Sequence, residues 1–323
     1  MATEEAYMLN RNHEESRRLD AQHHFSRELA HGHLIQPSIP QSGLRSIADI
    51  GTGTGIWLRE AAQELATPNE QIEFIGFDIS VQQFPKDSIP GVDFVMHDVV
   101  EPFPQEYHEK FDLVHVRLLS YALKEKDLDK AVENIIQILR PGGYLQWQEF
   151  DAIDSWAVPD TPNARSTVTY IVCERVTRGL TPAIATPLIR AIQLFQTPVS
   201  TGDVNPISWT GDLIRIMHLE TIPTLNHPSR AVEAGKKQGI MGAAVQLLQA
   251  GISRRQSLVA QAQVSGLEAQ KLGEEVEEMI GLIEAWTQGG DPACNDWDCA
   301  MTSITARKAL MINQHETWMT AKY

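Results

Sequence analysis

Cysteine is scarce in this 323-residue chain. The three present, Cys173, Cys294 and Cys299, are odd in number and form no C-x-x-C pair, so nothing supports a disulfide framework or a cysteine-based zinc site. Long apolar runs are also missing. No stretch reaches the roughly 18 residues needed to cross a bilayer, and MATEEAYMLNRNHEES has neither the basic start nor the apolar centre of a secretory signal, so a cytoplasmic, membrane-free protein is the default expectation. Positive charge is in short supply: 27 Lys+Arg face 42 Asp+Glu, a formal net charge of −15. Such a balance disfavours binding to nucleic acid, which needs a basic face to displace counterions from phosphates. What is plentiful is apolar content, 42%, enough over this length for a sizeable core in one large domain or a domain with elaborations.

Along the chain, residues 12–30 carry strong helix formers and lead into HGHLIQPSIPQSG, a connection marked by glycine and proline. From there strands and helices alternate. Strands are expected at 45–50, 72–77, 92–97, 111–116 and 143–149, helices at 55–66 and 127–139, and RPGG reads as a turn. This order predicts an α/β fold with a doubly wound, mostly parallel sheet, in which ligands sit at the carboxyl ends of the strands. Beyond residue 150 the pattern becomes helical over 161–181, 184–195, 229–250 and 265–287, with a sixth strand at LETIPTL and a seventh at AMTSITARK returning to the sheet edge. The expected organisation is an N-terminal helical lid over 1–42, an α/β core over 43–152 and helical capping insertions with the last strands over 153–323.

The stretch IADIGTGTGIWLREAA, residues 47–62, puts Gly51, Gly53 and Gly55 between a strand and a helix. Three glycines in five positions suggest a loop shaped around a ligand. The dinucleotide fingerprint G-x-G-x-x-G does not fit, because the third glycine comes one residue early, and a P-loop would need a Gly-Lys-Ser/Thr run. Three carboxylates stand at or just after strand ends: Asp49, Asp78 in FDIS and Asp98 in HDVV. An acid after the second strand is placed to accept both ribose hydroxyls of a nucleoside, and Asp98 is placed to accept from an adenine amino group. Each alone also reads as a helix N-cap; in register they favour a nucleoside pocket.

These motifs together resemble the class I S-adenosylmethionine-dependent methyltransferases. DIGTGTG is similar to their first motif, FDIS to the second, HDVVEPFP with FDLVHVRLL to the third and fourth, and RPGGYLQWQE to the fifth strand and the turn before it. In finer detail YMLNRNHEESRRLDAQHHF, GTGTGIW, FDISVQQFP, VHVRLLSYAL and GYLQWQEFD resemble a fungal branch of small-molecule methyltransferases and methyltransferase-like proteins of secondary metabolism. The resemblance implies a seven-stranded Rossmann-like methyltransferase sheet and S-adenosylmethionine as cofactor. It assigns the Gly51 and Gly53 backbone to the methionine end, Asp78 to the ribose and Asp98 with Val99 to the adenine, and places Asp49 and Ile79 among the cofactor-binding residues. Val116 and Arg117 would lie under the sulfonium. Glu15, Arg18, Leu19 and Gln22 look like a helix closing over the cofactor, with Arg18 paired to the methionine carboxylate.

Methyl transfer to oxygen or nitrogen of a small natural product would rest on alignment, worth roughly 7 to 11 kcal/mol in favourable cases. An acceptor that sheds a proton would add a general base. Candidates are His115 near the end of the 111–116 strand, Glu149 and Asp151 flanking the end of the 143–149 strand, and His23 with His24 on the N-terminal helix, of which His115 and Glu149 are favoured. Strand alternation sets His115 and Arg117 on one face and Val114 with Val116 on the other. No sequence cluster has the spacing of a divalent metal site. The same motifs leave two other readings open, a fold recruited for a pericyclic or elimination reaction with the cofactor retained, and a methyltransferase-like regulator. A homodimer is also open.

Overall fold

Ser46–Ile50 (β1) is buried at every position, as a strand covered on both faces must be, and the sheet grows outward from it in both directions. The computed structural model describes residues 9–66, 71–150, 156–157, 161–180, 215–218, 242–261, 263–288, 298–299 and 301–308. On one side β1 pairs in parallel with Glu73–Asp78 (β2), which pairs in parallel with Val92–Met96 (β3). On the other it pairs in parallel with Phe111–Arg117 (β4), which pairs with Leu139–Phe150 (β5). Two short strands, Trp156–Ala157 (β6) and Asp298–Cys299 (β8), form a separate ribbon. Arg215–His218 (β7) and Met301–Arg307 (β9) complete a seven-stranded sheet of order β3-β2-β1-β4-β5-β9-β7, the last two pairings antiparallel. Strand order reverses between β1 and β4, the place where open α/β sheets hold ligands.

Helices cover both faces. Ile56–Leu65 (α2) packs Trp57, Leu58 and Ala61 against Ile47, Phe74 and Leu113, with Leu34, Ile35, Ile39 and Leu44 of the incoming connection. Leu128–Ile138 (α3) packs Leu128, Ala131, Val132, Ile135 and Ile138 against Ala48, Ile50, Val114, Val116, Leu145 and Trp147. Their periods explain the choice of face: α3 repeats apolar residues at three and four positions, and the strands at two. His13–Leu29 (α1), capped by Asn12, whose side chain accepts from Glu15 N, lies beside α2. Pro162–Thr177 (α4), Gly242–Ala260 (α5) and Leu267–Thr287 (α6) form a helical cap around Ala164, Leu248, Met279, Leu282 and Trp286.

Three expectations change. RPGG is not a turn outside the strand but a bulge within β5: Phe111 pairs with Leu139 and Leu113 with Tyr144, so extra residues sit between two ladder positions. Gly142 takes φ +80°, and a Cβ on Gly143 would lie 2.8 Å from the Phe111 carbonyl oxygen, so glycine is required at both. The AMTSITARK strand is not at the sheet edge, because β7 lies outside it. β7 itself precedes LETIPTL, which lies outside the described residues, as do 184–195 and Asp151. No helix among the described residues is long and apolar enough to cross a membrane.

Candidate functional site

A cavity of about 550 Å³ opens at the carboxyl edge of the sheet, where strand order reverses. Its walls come from the glycine loop, the tips of β2, β3 and β4, helix α1 and the start of α5. The loop is held by its own backbone: Gly51 N and Thr52 N both donate to Phe77 O, at 2.8 and 3.0 Å, and Gly55 N donates to Thr52 O at 2.9 Å. Gly51, Gly53 and Gly55 all have positive φ, at 70°, 53° and 68°. The third glycine serves packing more than the cavity. A Cβ on Gly55 would sit 2.5 Å from Phe94 Cζ, and one on Gly76 2.8 Å from Phe94 Cδ1, so one phenyl ring fills the room left by two absent side chains.

Asp78 closes the loop from the β2 tip. Oδ2 accepts from Gly53 N at 2.9 Å and Oδ1 from Ser80 N at 3.1 Å. Burial pushes its pKa up, while the two backbone donors and the Arg11 guanidinium pull the other way. Asp98 spans its own turn, Oδ1 accepting from Val100 N at 3.0 Å. Asp49 faces inward along the sheet: Oδ2 accepts from Thr52 Oγ1 and Oδ1 pairs with His115 Nδ1, both at 2.7 Å. Asp49, Gly51, Gly53, Asp78, Ile79, Asp98, Val99, His115, Arg117 and Arg18 all line the cavity. The structure thus brings together most of the residues singled out from sequence.

It does not bring Val116 and Glu149 there. Both point to the α3 face, because alternation along β4 and β5 sends Val116, Trp147 and Glu149 to the side opposite His115 and Arg117. Val116 is buried in the core. Glu149 Oε1 accepts from Trp147 Nε1 at 2.8 Å and Ser120 N at 3.1 Å, and Oε2 from Ser120 Oγ at 2.8 Å. Burial raises its pKa against the pull of these donors, and the carboxyl is locked in the protein interior as a structural group. Arg18 lines the cavity, but its fork is engaged by its helical neighbour: Nε and Nη2 donate to the two Glu15 oxygens, each at 2.7 Å. Gln246 Nε2 of α5 donates to Glu15 Oε2 as well.

His115 is held on all sides. Its ring stacks on Trp57 at 3.9 Å with planes 2° apart, Nδ1 faces the Asp49 carboxylate, and Nε2 lies 3.4 Å from Gln148 Oε1. Burial lowers its pKa, and Asp49 opposes that shift. With 1% of its surface exposed, it borders the cavity as part of a polar row on the α2 side of the sheet, both ring nitrogens facing protein partners.

Sequence reasoning overlooked several lining residues. Gln83, in the turn after β2, has a solvent-shielded Nε2 with no hydrogen-bond partner among the described residues. Arg11, Tyr121, Lys124 and Leu247 also border the space. At the back of Arg117, Nη2 donates to His23 Nδ1 at 2.9 Å, and His23 Nε2 lies 3.0 Å from Glu60 Oε2. His23, His24 and Glu60 could reach a common ion. Two guanidiniums already take those atoms, however: Arg27 Nη1 reaches Glu60 Oε2 at 2.6 Å, and Arg117 holds His23. The group is an ion-pair network joining α1 to α2.

A family model described as a methyltransferase domain matches residues 20–177. The methyltransferase grgD of a Penicillium species is 38% identical over 158 residues, which is 48% of this chain and 55% of that relative. The N-methyltransferase gliN of Aspergillus fumigatus is 32% identical over 150 residues, 46% of this chain and 51% of that protein. The chain thus matches about half the length of these curated relatives. Among solved structures, the [4+2]-cyclase SpnF aligns over 82% of this chain and 75% of its own, at 17% identity and a TM-score of 0.39, a likeness too slight to bear on chemistry.

Proposed function

We propose that the chain, whose residues 20–177 match a methyltransferase domain, is an S-adenosylmethionine-dependent methyltransferase of the fungal secondary-metabolism branch, and that it transfers a methyl group from that cofactor to an oxygen or nitrogen of a small-molecule natural product. The observation that carries this reading is Asp78, a carboxylate at the β2 tip tied to the glycine loop and facing the cavity. The residues present fit the cofactor. Gly51 and Gly53 line the cavity with no side chain in the way, Asp78 supplies acceptors for ribose hydroxyls, and the unpartnered Gln83 Nε2 supplies a donor beside them. Asp98 and Val99 border the end assigned to adenine, with the exposed Ile79 side chain as an apolar wall.

When bound, S-adenosylmethionine would supply an electrophilic methyl group that an aligned nucleophile takes as the carbon–sulfur bond breaks and S-adenosylhomocysteine leaves, with no need for a metal or a covalent enzyme intermediate. The chain's part is alignment and exclusion of water. Helix α1 contributes Arg18, Leu19 and Gln22 to the cavity and acts as a lid; α5 contributes Ala243, Ala244 and Leu247 and acts as a cap that selects the acceptor. On this reading residues 1–42 close the site, 43–152 hold the cofactor and 153–323 choose the substrate. His115 positions Asp49 beneath the loop. The acceptor's proton passes to solvent, because His115 and Glu149 are both committed to internal partners.

The test is calorimetry with S-adenosylhomocysteine, together with methyl-labelled cofactor and an extract of candidate acceptors. Asp78→Ala removes a charged acceptor of two hydroxyls, worth about 1.5–3 kcal/mol each, so affinity should fall by at least a hundredfold. Label should appear in a small-molecule product. Undiminished affinity in Asp78→Ala, or conversion of an acceptor with the labelled cofactor left intact, would overturn the proposal.

A further inference from the structure

Arg18 and Arg117 both border the cavity, and the structure distinguishes them by what their donors already do. The Arg18 fork is closed by Glu15, with a bond to each carboxylate oxygen. Arg117, at the carboxyl tip of β4, gives a single N–H to protein: Nη2 donates to His23 Nδ1 at 2.9 Å. Among the described residues no other hydrogen-bond acceptor is engaged by this guanidinium, and it lines the cavity.

His23 is fully buried in α1 and is not part of the cavity wall. A guanidinium can only donate, so His23 Nδ1 must be the acceptor and the ring proton must sit on Nε2. That Nε2–H then donates to Glu60 Oε2 at 3.0 Å, the same oxygen that accepts from Arg27 Nη1 at 2.6 Å. The result is a directed chain, Arg117 to His23 to Glu60, that needs a neutral imidazole in one tautomer. It fixes one edge of the guanidinium of Arg117, a residue of the cavity wall.

We propose that Arg117 receives the carboxylate of the cofactor's amino-acid tail, and that His23 is a positioning residue which sets the orientation of that guanidinium from helix α1. The inference rests on the methyltransferase reading above and adds to it a receptor and a mechanical link. A planar fork with free N–H groups matches a carboxylate in geometry and charge. Burial lowers the Arg117 pKa to about 10, which leaves the group cationic at neutral pH. Because the orienting imidazole belongs to α1, the lid helix and the carboxylate receptor move as one unit: a displaced α1 releases Arg117.

Calorimetry with two ligands tests this. S-adenosylhomocysteine carries the carboxylate; 5′-methylthioadenosine has the same adenosyl thioether without the amino-acid tail. Arg117→Met should weaken S-adenosylhomocysteine at least tenfold and leave 5′-methylthioadenosine within threefold, the second ligand also reporting that the pocket is folded. His23→Leu should show the same selective loss. His23→Gln should restore affinity to within threefold, since an amide oxygen can accept from Arg117 while the amide nitrogen donates to Glu60. Equal losses for both ligands in Arg117→Met, no loss for either, or a selective loss that follows Arg18→Met instead would overturn the assignment. Failure of the unmodified protein to bind either ligand would instead sink the methyltransferase reading.

Discussion

Gly55→Ala isolates the packing role of the third loop glycine. The residue has φ +68°, where an L side chain costs about 1–2 kcal/mol. Its new Cβ would also meet two Phe94 ring carbons at 2.5 and 2.6 Å, an overlap that requires the ring to move, at about 1–3 kcal/mol. Together these give about 2–5 kcal/mol. Gly91 is the matched control: φ is +74°, but nothing lies within 4 Å of an added Cβ, so Gly91→Ala should cost only the backbone share, about 1–2 kcal/mol. Urea unfolding followed by the fluorescence of the buried Trp57 and Trp147 measures both. In a Phe94→Leu background the steric share of the Gly55→Ala cost should largely disappear, a coupling that a double-mutant cycle reads directly. If Gly55→Ala and Gly91→Ala cost the same, or if Phe94→Leu gives no relief, the ring does not occupy the space of the missing side chains and the reasoning fails.

Two further outcomes follow from buried charge. Burial lowers the His23 pKa from 6.5 to about 4, so between those values the unfolded chain binds the proton that the folded chain refuses, and stability falls as pH drops through that window. At about 1.4 kcal/mol per unit, the loss from pH 6.5 to 5 is roughly 2 kcal/mol. His115 adds to it with the same sign; Asp78 and Glu149, whose pKa values are raised, oppose it. The difference between wild type and His23→Gln removes those shared contributions, and an unchanged pH slope in the variant would refute the assignment. In the cap, Glu174 of α4 is buried and accepts from Arg178 and Arg254 at 3.0 Å, with Arg255 at 3.4 Å. Glu174→Gln removes the buried charge shared by those guanidiniums, although Arg255 keeps Glu275 at 2.8 Å, and should cost about 1.5–3 kcal/mol in denaturant titrations; a cost under 1 kcal/mol would mean the cluster is solvated.

Much of the core was legible because its signals are local. Strand and helix periods differ, so the alternation from 45 to 150 marks each element, and α2 and α3 end within a residue of their expected limits. The RPGG bulge was misread for a physical reason: paired glycines serve a turn and a bulge equally well, and only the Phe111 carbonyl, close against Gly143, separates them. The strand-tip rule matches the placement of Asp49, Asp78 and Asp98 on the cavity wall but not that of Val116 and Glu149, because proximity to a tip does not say which face a side chain takes. Period two does say it. Once Arg117 is placed toward α1, Val116 must turn to the α3 side, and the same alternation on β5 sets Gln148 opposite Glu149.

Arg18 illustrates a signal present in the sequence but read for its partner outside the helix. In E-x-x-R the acid stands one turn before the base, the spacing at which the two side chains meet on a helix surface. Glu15 is thus the partner nearest to hand, and its complete burial makes the pair costly to open. The pairing of His23 with Arg117 had no such local mark. Ninety-four positions separate them, and they meet only because α1 crosses the α2 side of the sheet at the tip of β4. A contact of that kind is set by tertiary packing alone. It follows that the receptor for a ligand anion in this fold is better sought among guanidiniums whose donors the protein leaves unfilled than among those that a motif places near the cavity.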